Sequence, residues 1–182
     1  MAQIANLPLR LSPYLSAEKI QSRVKELARE ISPHFFPSSE PLIAVCVLKG
    51  SFMFYSDLIR ELDGNIECEF LAVSSYSGMT SSGEVKVTLD LNRAIEGKNV
   101  LLVEDIVDTG LTMNFLIQWL KSRKPKNLKT VALLLKPDAL KTKCDLDFVG
   151  FKIPNDFVVG YGLDYQGYYR NLPYIAQVQS FN

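Results

Sequence analysis

Three carboxylates and two threonines are concentrated in one short segment, VLLVEDIVDTGLT at residues 100–112. Glu104 and Asp105 are adjacent, Asp108 follows closely, and Thr109 and Thr112 flank a glycine. Carboxylates accept hydrogen bonds from sugar hydroxyls, approach cations or take up protons, whereas threonine hydroxyls can donate to an anion. A phosphorylated sugar offers all of these groups. The segment therefore predicts a sugar-phosphate site, although an ordinary strand, turn and helix with a threonine-rich cap is the alternative.

The elements that must position these residues follow from the apolar pattern. Four consecutive apolar residues at 100–103 predict a strand buried on both faces, and the apolar residues at 111–120 predict a helix. A small polar turn between them leaves backbone N–H groups directed at one point, where the positive end of the helix dipole favours an anion. Gly110 would allow the backbone to approach a ligand closely.

This segment resembles the ribose-phosphate motif of the type I phosphoribosyltransferases, an apolar strand followed by two acids and then D-[TS]-G-x-T. The resemblance implies that Glu104 and Asp105 hold the ribose hydroxyls and that Asp108 transfers a proton at the purine. It also implies that the whole stretch binds ribose and phosphate, namely Glu104, Asp105, Ile106, Val107, Asp108, Thr109, Gly110, Leu111 and Thr112.

A second strand–turn–helix unit surrounds Lys49, with a strand predicted at Leu42–Leu48 and a helix from Phe52 to about Leu62. Local sequence alone leaves a phosphate-facing loop and a solvated lysine equally open. The family resemblance implies that Lys49 and Gly50 bind pyrophosphate, together with Arg170. Relatives usually have glycine where Ser51 stands, so the detailed conformation of this loop stays open.

The segment SSYSGMTSSGEVKV at 74–87 is rich in serine and glycine between two predicted strands, at 66–73 and 85–91. This composition indicates either a plain surface hairpin or a loop that closes over a site. Ser75 and Tyr76 match the flexible loop of the hypoxanthine-type phosphoribosyltransferases, in which the resemblance implies a lid that excludes water.

Lys136 and an aromatic segment indicate which base is bound. Lys136 follows a predicted strand at 128–135, and the stretch FVVGYGLDYQGYYRNLPYI at 157–175 resembles the purine-binding hood of the hypoxanthine-type enzymes. The resemblance assigns Lys136 to the 6-oxo group of the base and places Phe157, Val158, Leu163 and Asp164 around the purine. It further implies Mg²⁺ bound by Glu104, Asp105 and Asp164. A charged strand end and a simple aromatic core are the alternatives.

Length and patterning predict one domain of α/β class over residues 1–182. We expect a mostly parallel, twisted sheet with helices on both faces as a core at about 35–145. A small hood lobe would come from the N-terminal arm, about 1–15, and from the C-terminal segment, 146–182. His34, the only histidine, receives no role.

The composition bears on the binding partners and on the cellular location of the protein. Lys and Arg total 20 and balance 20 Asp and Glu, so no global charge favours nucleic acid or membrane. Three scattered cysteines without a CxxC pair, no apparent secretory signal and no apolar run of membrane-spanning length indicate a cytoplasmic protein.

The resemblance implies a purine-salvage transferase that moves 5-phosphoribosyl from phosphoribosyl pyrophosphate to N9 of hypoxanthine, and of guanine too. A transferase for another base such as xanthine remains open. A nucleic-acid-binding regulator of the same fold is disfavoured by the zero net charge and the short chain. The family implies a homodimer or homotetramer. Phe52, Phe54 and Tyr55 are candidate contributors to its interface, and core packing explains them equally well.

Overall fold

The structure is a computed structural model that describes residues 9–36, 40–75 and 85–181. Three α-helices, α1 (Ala17–Ile31), α2 (Phe52–Glu61) and α3 (Leu111–Lys121), occur among these residues. The strands are β1 (Leu9–Leu15), β2 (Leu42–Leu48), β3 (Ile66–Ser75), β4 (Val85–Leu89), β5 (Asn99–Val107), β6 (Asn127–Leu135), β7 (Phe148–Lys152), β8 (Val158–Val159) and β9 (Ile175–Phe181). Short 3-10 turns lie at Ser32–His34 and Pro137–Ala139.

The larger sheet has six strands in the order β4-β3-β2-β5-β6-β7. Its neighbouring strands are parallel except for β4, which runs antiparallel to β3. Alternate residues of β2 face opposite sides: Ala44 and Cys46 pack in the cluster that contains α1 and α2, whereas Val45 packs in the cluster that contains α3. Because both faces are covered, the central strands are continuously apolar. The predicted fold class is confirmed.

The two predicted helices, at about 52–62 and 111–120, agree closely with α2 and α3. Helix α1 begins at a Ser16 cap, whose hydroxyl accepts a hydrogen bond from the Lys19 amide at 3.3 Å. Its buried residues recur at helical spacing, namely Ile20, Val24, Leu27, Ala28 and Ile31. Helix α2 ends one residue before the expected Leu62, and Phe54 and Tyr55 belong to the core, leaving Phe52 as the exposed member of that candidate set.

The prediction that the strand at 100–103 ends before the two acids is wrong. Strand β5 continues to Val107, because Glu104, Ile106 and Val107 still pair with Ala132, Leu134 and Leu135 of β6. The two acids therefore lie on a paired strand, which fixes their backbones more firmly than a turn would. Strand β4 is likewise two residues shorter than the expected 85–91 and ends at Leu89.

A smaller antiparallel sheet, β1-β9-β8, joins the N-terminal and C-terminal segments. Val159, Tyr169 and Ala176 form its own small core. Residues 1–8 of the expected arm lie outside the described part of the chain. Strand β7, which falls in the 146–182 range assigned to the hood, pairs with β6 in the larger sheet. Among the described residues, no helix is long and apolar enough to cross a membrane.

Candidate active site

The predicted site residues converge at the carboxyl ends of β2, β5 and β6. Lys49 directly follows β2, Asp108 follows β5, and Lys136 follows β6. Ligands of open α/β sheets bind at this edge, where successive parallel strands end side by side. Neighbouring strands therefore bring together side chains that are far apart in the sequence.

A small cavity of about 40 Å³ lies at the start of α3. Gly110 occupies the N-cap position with φ +79° and provides no side-chain cap, while the Leu111 amide donates to the Thr109 hydroxyl at 3.4 Å. The cavity is lined by Glu104, Ile106, Val107, Asp108, Thr109, Gly110, Thr112 and Met113. All of these except Met113 belong to the set predicted to bind ribose and phosphate.

A larger cleft of about 250 Å³ adjoins it and contains the residues predicted to bind the purine. Its lining consists of Asp105, Ile106, Asp108, Lys136, Phe157, Val158, Leu163 and Asp164. The Phe157 side chain is 43% exposed and lies edge-on to Tyr165, with ring centroids 5.9 Å apart. An exposed aromatic ring in a cleft with polar groups suits a planar heterocycle.

Asp108 and Lys136 form an ion pair at the junction of the two cavities, with Nζ 3.0 Å from Oδ2. The lysine side chain is 8% exposed, whereas the aspartate side chain is 47% exposed, so the pair presents its carboxylate to the cleft. Both residues are predicted site residues, but their pairing was not predicted. The signal that was available is that each directly follows one of two strands predicted to be parallel.

Glu104 and Asp105 are held in a poorly hydrated environment. Burial raises the pKa of Glu104 well above its usual range, and the charge of Asp105 adds to this rise. Burial likewise raises the pKa of Asp105 to about 6, partly offset by the hydrogen bond from the Ile106 amide. Glu104 Oε2 is buried without a hydrogen-bond partner, which leaves it available to a ligand hydroxyl or cation.

The Lys49 loop packs directly against these acids. The peptide bond between Leu48 and Lys49 is cis. A Cβ atom added to Gly50 would lie 1.5 Å from Asp105 Oδ2, so a side chain at this position would displace the Asp105 carboxylate. Ser51, the departure from the family pattern, is buried, and its hydroxyl donates to the Val47 carbonyl at 2.6 Å.

Asp164, which lines the larger cleft, is paired with Arg170. Arg170 Nη2 lies 2.6 Å from Asp164 Oδ1, and its Nη1 donates to the Gly162 carbonyl at 2.6 Å. The charge of Asp164 raises and that of Arg170 lowers the pKa of Asp105, after the larger effects of burial and the Ile106 amide, which shows that the three groups are electrostatically coupled.

The predicted magnesium ligands are divided between the two cavities. Asp105 and Asp164 line the larger cleft, whereas Glu104 lines the smaller cavity. Within residues 9–36, 40–75 and 85–181, no three acidic, cysteine or histidine side chains are gathered into a group that could hold a metal ion. The set of three carboxylates stays a prediction.

Of the two predicted lid residues, only Ser75 lies within the part of the chain that the structure describes. Ser75 is the last residue of β3, and Tyr76 lies outside the described residues.

A mostly parallel sheet with two adjoining cavities at the carboxyl ends of its strands is the arrangement expected for a phosphoribosyltransferase. The sequence accordingly matches the phosphoribosyl transferase domain family over residues 12–166. The chain belongs to this family.

Similar proteins indicate to which group within the family the chain belongs. The hypoxanthine-guanine phosphoribosyltransferase of Bacillus subtilis is 48% identical over 166 residues, which cover 89% of each chain. That of Aquifex aeolicus is 48% identical over 180 residues, covering 98% of this chain and 99% of its own. A crystal structure of the Staphylococcus aureus hypoxanthine phosphoribosyltransferase superposes with a TM-score of 0.89 at 44% identity, covering 98% of this chain and 96% of that one. The chain thus belongs to the hypoxanthine-guanine phosphoribosyltransferases.

Proposed function

We propose that this protein transfers the 5-phosphoribosyl group from phosphoribosyl pyrophosphate to hypoxanthine, and to guanine too, forming the nucleoside monophosphate and pyrophosphate. The observation that carries the proposal is the Asp108–Lys136 pair, which joins a phosphate cradle to a cleft with an exposed aromatic ring. Lys136 supplies a cation for the 6-oxo group of a flat base, and Asp108 supplies an anion for the nearby ring nitrogen, N7.

The chemistry exchanges one bond at the anomeric carbon for another. The bond from C1′ to the pyrophosphate oxygen breaks, N9 of the base forms the new bond to C1′, and a proton leaves the base ring. Asp108 is the acceptor for that proton, because its carboxylate is half-exposed toward the cleft and held by Lys136. Lys136 donates to the 6-oxo oxygen.

The donor is held on the other side of Asp108. Backbone N–H groups of residues 108–112 and the hydroxyls of Thr109 and Thr112 bind the 5-phosphate at the start of α3. Glu104 and Asp105 accept hydrogen bonds from the ribose hydroxyls, and this matches the unpartnered Glu104 Oε2. Lys49, Gly50 and Arg170 bind the pyrophosphate, and Ser75 with Tyr76 closes the site against water.

Magnesium is the proposed cofactor, since hard carboxylate oxygens are the donors that this ion prefers. Asp105 and Asp164 would hold it on the side of the larger cleft, and Glu104 on the side of the smaller one. When bound, the ion would supply positive charge to offset that of the leaving pyrophosphate.

The 2-position of the purine separates hypoxanthine, guanine and xanthine, and the backbone near Leu163 and Asp164 faces that edge in this proposal. A preference for xanthine is therefore the alternative. We also propose a homodimer or homotetramer, supported by exposed Phe52 and Phe70, and a cytoplasmic location, supported by three free thiols.

Product identification tests the proposal. The protein incubated with hypoxanthine, phosphoribosyl pyrophosphate and Mg²⁺ should form inosine monophosphate and pyrophosphate in equal amounts, measured by mass spectrometry and phosphorus NMR. Omission of Mg²⁺ in the presence of a chelator should abolish formation of both. Hydrolysis of the donor without nucleotide formation contradicts the proposed transfer.

A further inference from the structure

The turn at residues 160–163 has an unusual backbone. Gly160, Tyr161 and Gly162 all have positive φ angles, of +100°, +49° and +99°. Glycine adopts this region freely, but a tyrosine is disfavoured there. A tyrosine persists in such a conformation only where its side chain is held by other contacts, and Tyr161 is only 5% exposed.

Those contacts lead to α2. The Tyr161 hydroxyl donates to Asp57 Oδ2 at 2.6 Å. The same oxygen accepts a hydrogen bond from Gln21 Nε2 of α1 at 2.6 Å, and Arg60 forms an ion pair with the other carboxylate oxygen. Burial raises the pKa of Tyr161, and the hydrogen bond and charge of Asp57 raise it further, so the hydroxyl keeps its proton and donates.

The anchored turn lies between the two halves of the site. Helix α2 begins directly after the Lys49–Ser51 loop, and a Cβ atom added to Gly162 would lie 2.0 Å from the Gly50 carbonyl oxygen. Leu163 and Asp164, the next residues in the chain, line the larger cleft. The purine side of the cleft is thus pressed against the pyrophosphate loop at Gly162 and bonded to the helix behind that loop at Tyr161.

We propose that Tyr161 and Asp57 are positioning residues that fix the purine-binding turn on α2 and so set the spacing between the base and the sugar donor. This inference rests on the proposed transfer reaction. The attacking nitrogen must approach C1′ to near contact, and a displacement of about 1 Å can reduce the rate by about 100-fold. Neither residue lines the cleft, so both act through Leu163 and Asp164.

The competing explanation is that the hydrogen bond stabilises the fold and has no bearing on the base. Tyr55 offers a matched control, because it is also buried and its hydroxyl also donates a hydrogen bond, to the Ala44 carbonyl at 3.1 Å. Y55F and Y161F each delete one buried hydroxyl, but only Y161F releases the turn. In Y161F, Asp57 keeps Gln21 and Arg60 as partners.

Steady-state kinetics with hypoxanthine and phosphoribosyl pyrophosphate, together with thermal unfolding, separates the two explanations. For Y161F we expect kcat/KM for hypoxanthine to fall by about tenfold, as for loss of one hydrogen bond to a charged group. KM for phosphoribosyl pyrophosphate should stay within about twofold, since the Ser51–Val47 bond holds the pyrophosphate loop independently. Y55F should lower Tm without changing either kinetic constant.

Two substitutions of Asp57 complete the test. Asp57→Asn keeps a carbonyl oxygen for the Tyr161 hydroxyl and should retain most of the activity, whereas Asp57→Ala should reproduce Y161F. If wild type turns over hypoxanthine but Y161F keeps its kcat/KM, or if Y55F loses as much, the positioning role is overturned and the proposed reaction stands. Absence of turnover by wild type overturns both.

Discussion

Asp108 is the residue on which the proposed chemistry most depends. Its carboxylate is half-exposed to the cleft and lies 3.0 Å from the Lys136 ammonium. Asp108→Asn keeps the size of the side chain and an oxygen for Lys136, but it removes the proton acceptor. Turnover of hypoxanthine should therefore fall by at least ~100-fold, measured by steady-state assay. Unchanged turnover contradicts the role assigned to Asp108.

In the proposed reaction, Lys136 distinguishes 6-oxopurines from 6-aminopurines. Lys136→Ala should lower the preference for 6-oxopurines over 6-aminopurines by about 10- to 100-fold, because a charged hydrogen bond to the oxo group is lost. Lys129→Ala is a matched control, since Lys129 lies on β6 and pairs with Asp147 at 2.8 Å. The ratio of kcat/KM values for hypoxanthine and adenine provides the measurement, and a ratio retained in Lys136→Ala removes the proposed role.

Asp105 should make the free protein less stable as the pH rises. Its pKa is raised by burial from 3.8 to about 6 in the folded chain, so between these values the native state binds more protons than the unfolded state. Stability therefore falls as the pH rises through this window, and the loss is complete above it. Asp105→Asn removes the titrating group and should be more stable than wild type at pH 7, by about 2–3 kcal/mol.

Denaturant unfolding of chelator-treated protein at several pH values tests this sign. The difference between Asp105→Asn and wild type should be near zero below the ordinary pKa of 3.8 and should grow as the pH approaches about 6. A wild type that gains stability relative to Asp105→Asn over this window contradicts the burial of the carboxylate.

Among the elements, the turn at residues 160–163 depends most on a close approach of two backbones. Gly162 has φ +99°, and its Cα faces the Gly50 carbonyl, whereas Gly167 has φ +87° with nothing within 4 Å of an added Cβ. Gly167→Ala should cost about 1–2 kcal/mol from backbone conformation alone. Gly162→Ala should cost a further ~1–3 kcal/mol from the collision and should reduce activity.

Comparison of Gly162→Ala with Gly167→Ala separates the backbone penalty from the collision, because the backbone penalty is common to both glycines. Chemical denaturation with an activity assay on the folded protein measures both effects. Equal losses of stability for the two variants would mean that the contact between Gly162 and Gly50 is not tight.

Periodicity located the helices and most strands, but it misplaced the end of β5. Two acids after an apolar run resemble the start of a turn, and only the pairing of Glu104, Ile106 and Val107 with β6 extends the strand to Val107. The cis bond at Lys49 and the Asp108–Lys136 pair were likewise beyond the local sequence. The ion pair depends on which strands become neighbours, and an apolar run does not encode that order.

The site residues themselves were easier to predict than their contacts. The segment 100–112 combines residue types that a plain strand and turn do not need, so its chemistry can be recognised from the sequence alone. By contrast, Asp57 and Tyr161 lie 104 positions apart, and although Tyr161 falls within the hood-like segment, nothing in the sequence pairs it with Asp57. Their bond became visible only when α2 and the C-terminal turn were packed together.

At the scale of the whole molecule, the two sheets have different roles in the proposed reaction. In the proposed reaction, residues at the ends of β2 and β5 bind the sugar and phosphate groups, whereas Leu163 and Asp164, between β8 and β9, contact the purine. Lys136 at the end of β6 connects the two halves through Asp108. We infer that the ends of β2 and β5 identify the donor, whereas Lys136 and the C-terminal segment identify the acceptor.

Assembly is a separate property of the whole molecule. Phe52 and Phe70 are exposed by 37% and 41%, and large exposed apolar groups favour association. Light scattering coupled to size-exclusion chromatography should give the mass of a homodimer or homotetramer of the 20.5 kDa chain. A monomer at micromolar concentration contradicts the proposed assembly.

The most direct test of the central claim is a steady-state comparison of four bases with phosphoribosyl pyrophosphate and Mg²⁺. Hypoxanthine and guanine should be converted to nucleotides, and kcat/KM for hypoxanthine should exceed that for adenine by at least ~100-fold, because Lys136 donates only to an oxo group. Xanthine, the fourth base, shows how strictly the 2-position is read. Adenine used as efficiently as hypoxanthine, or no nucleotide from any of the four, contradicts the account.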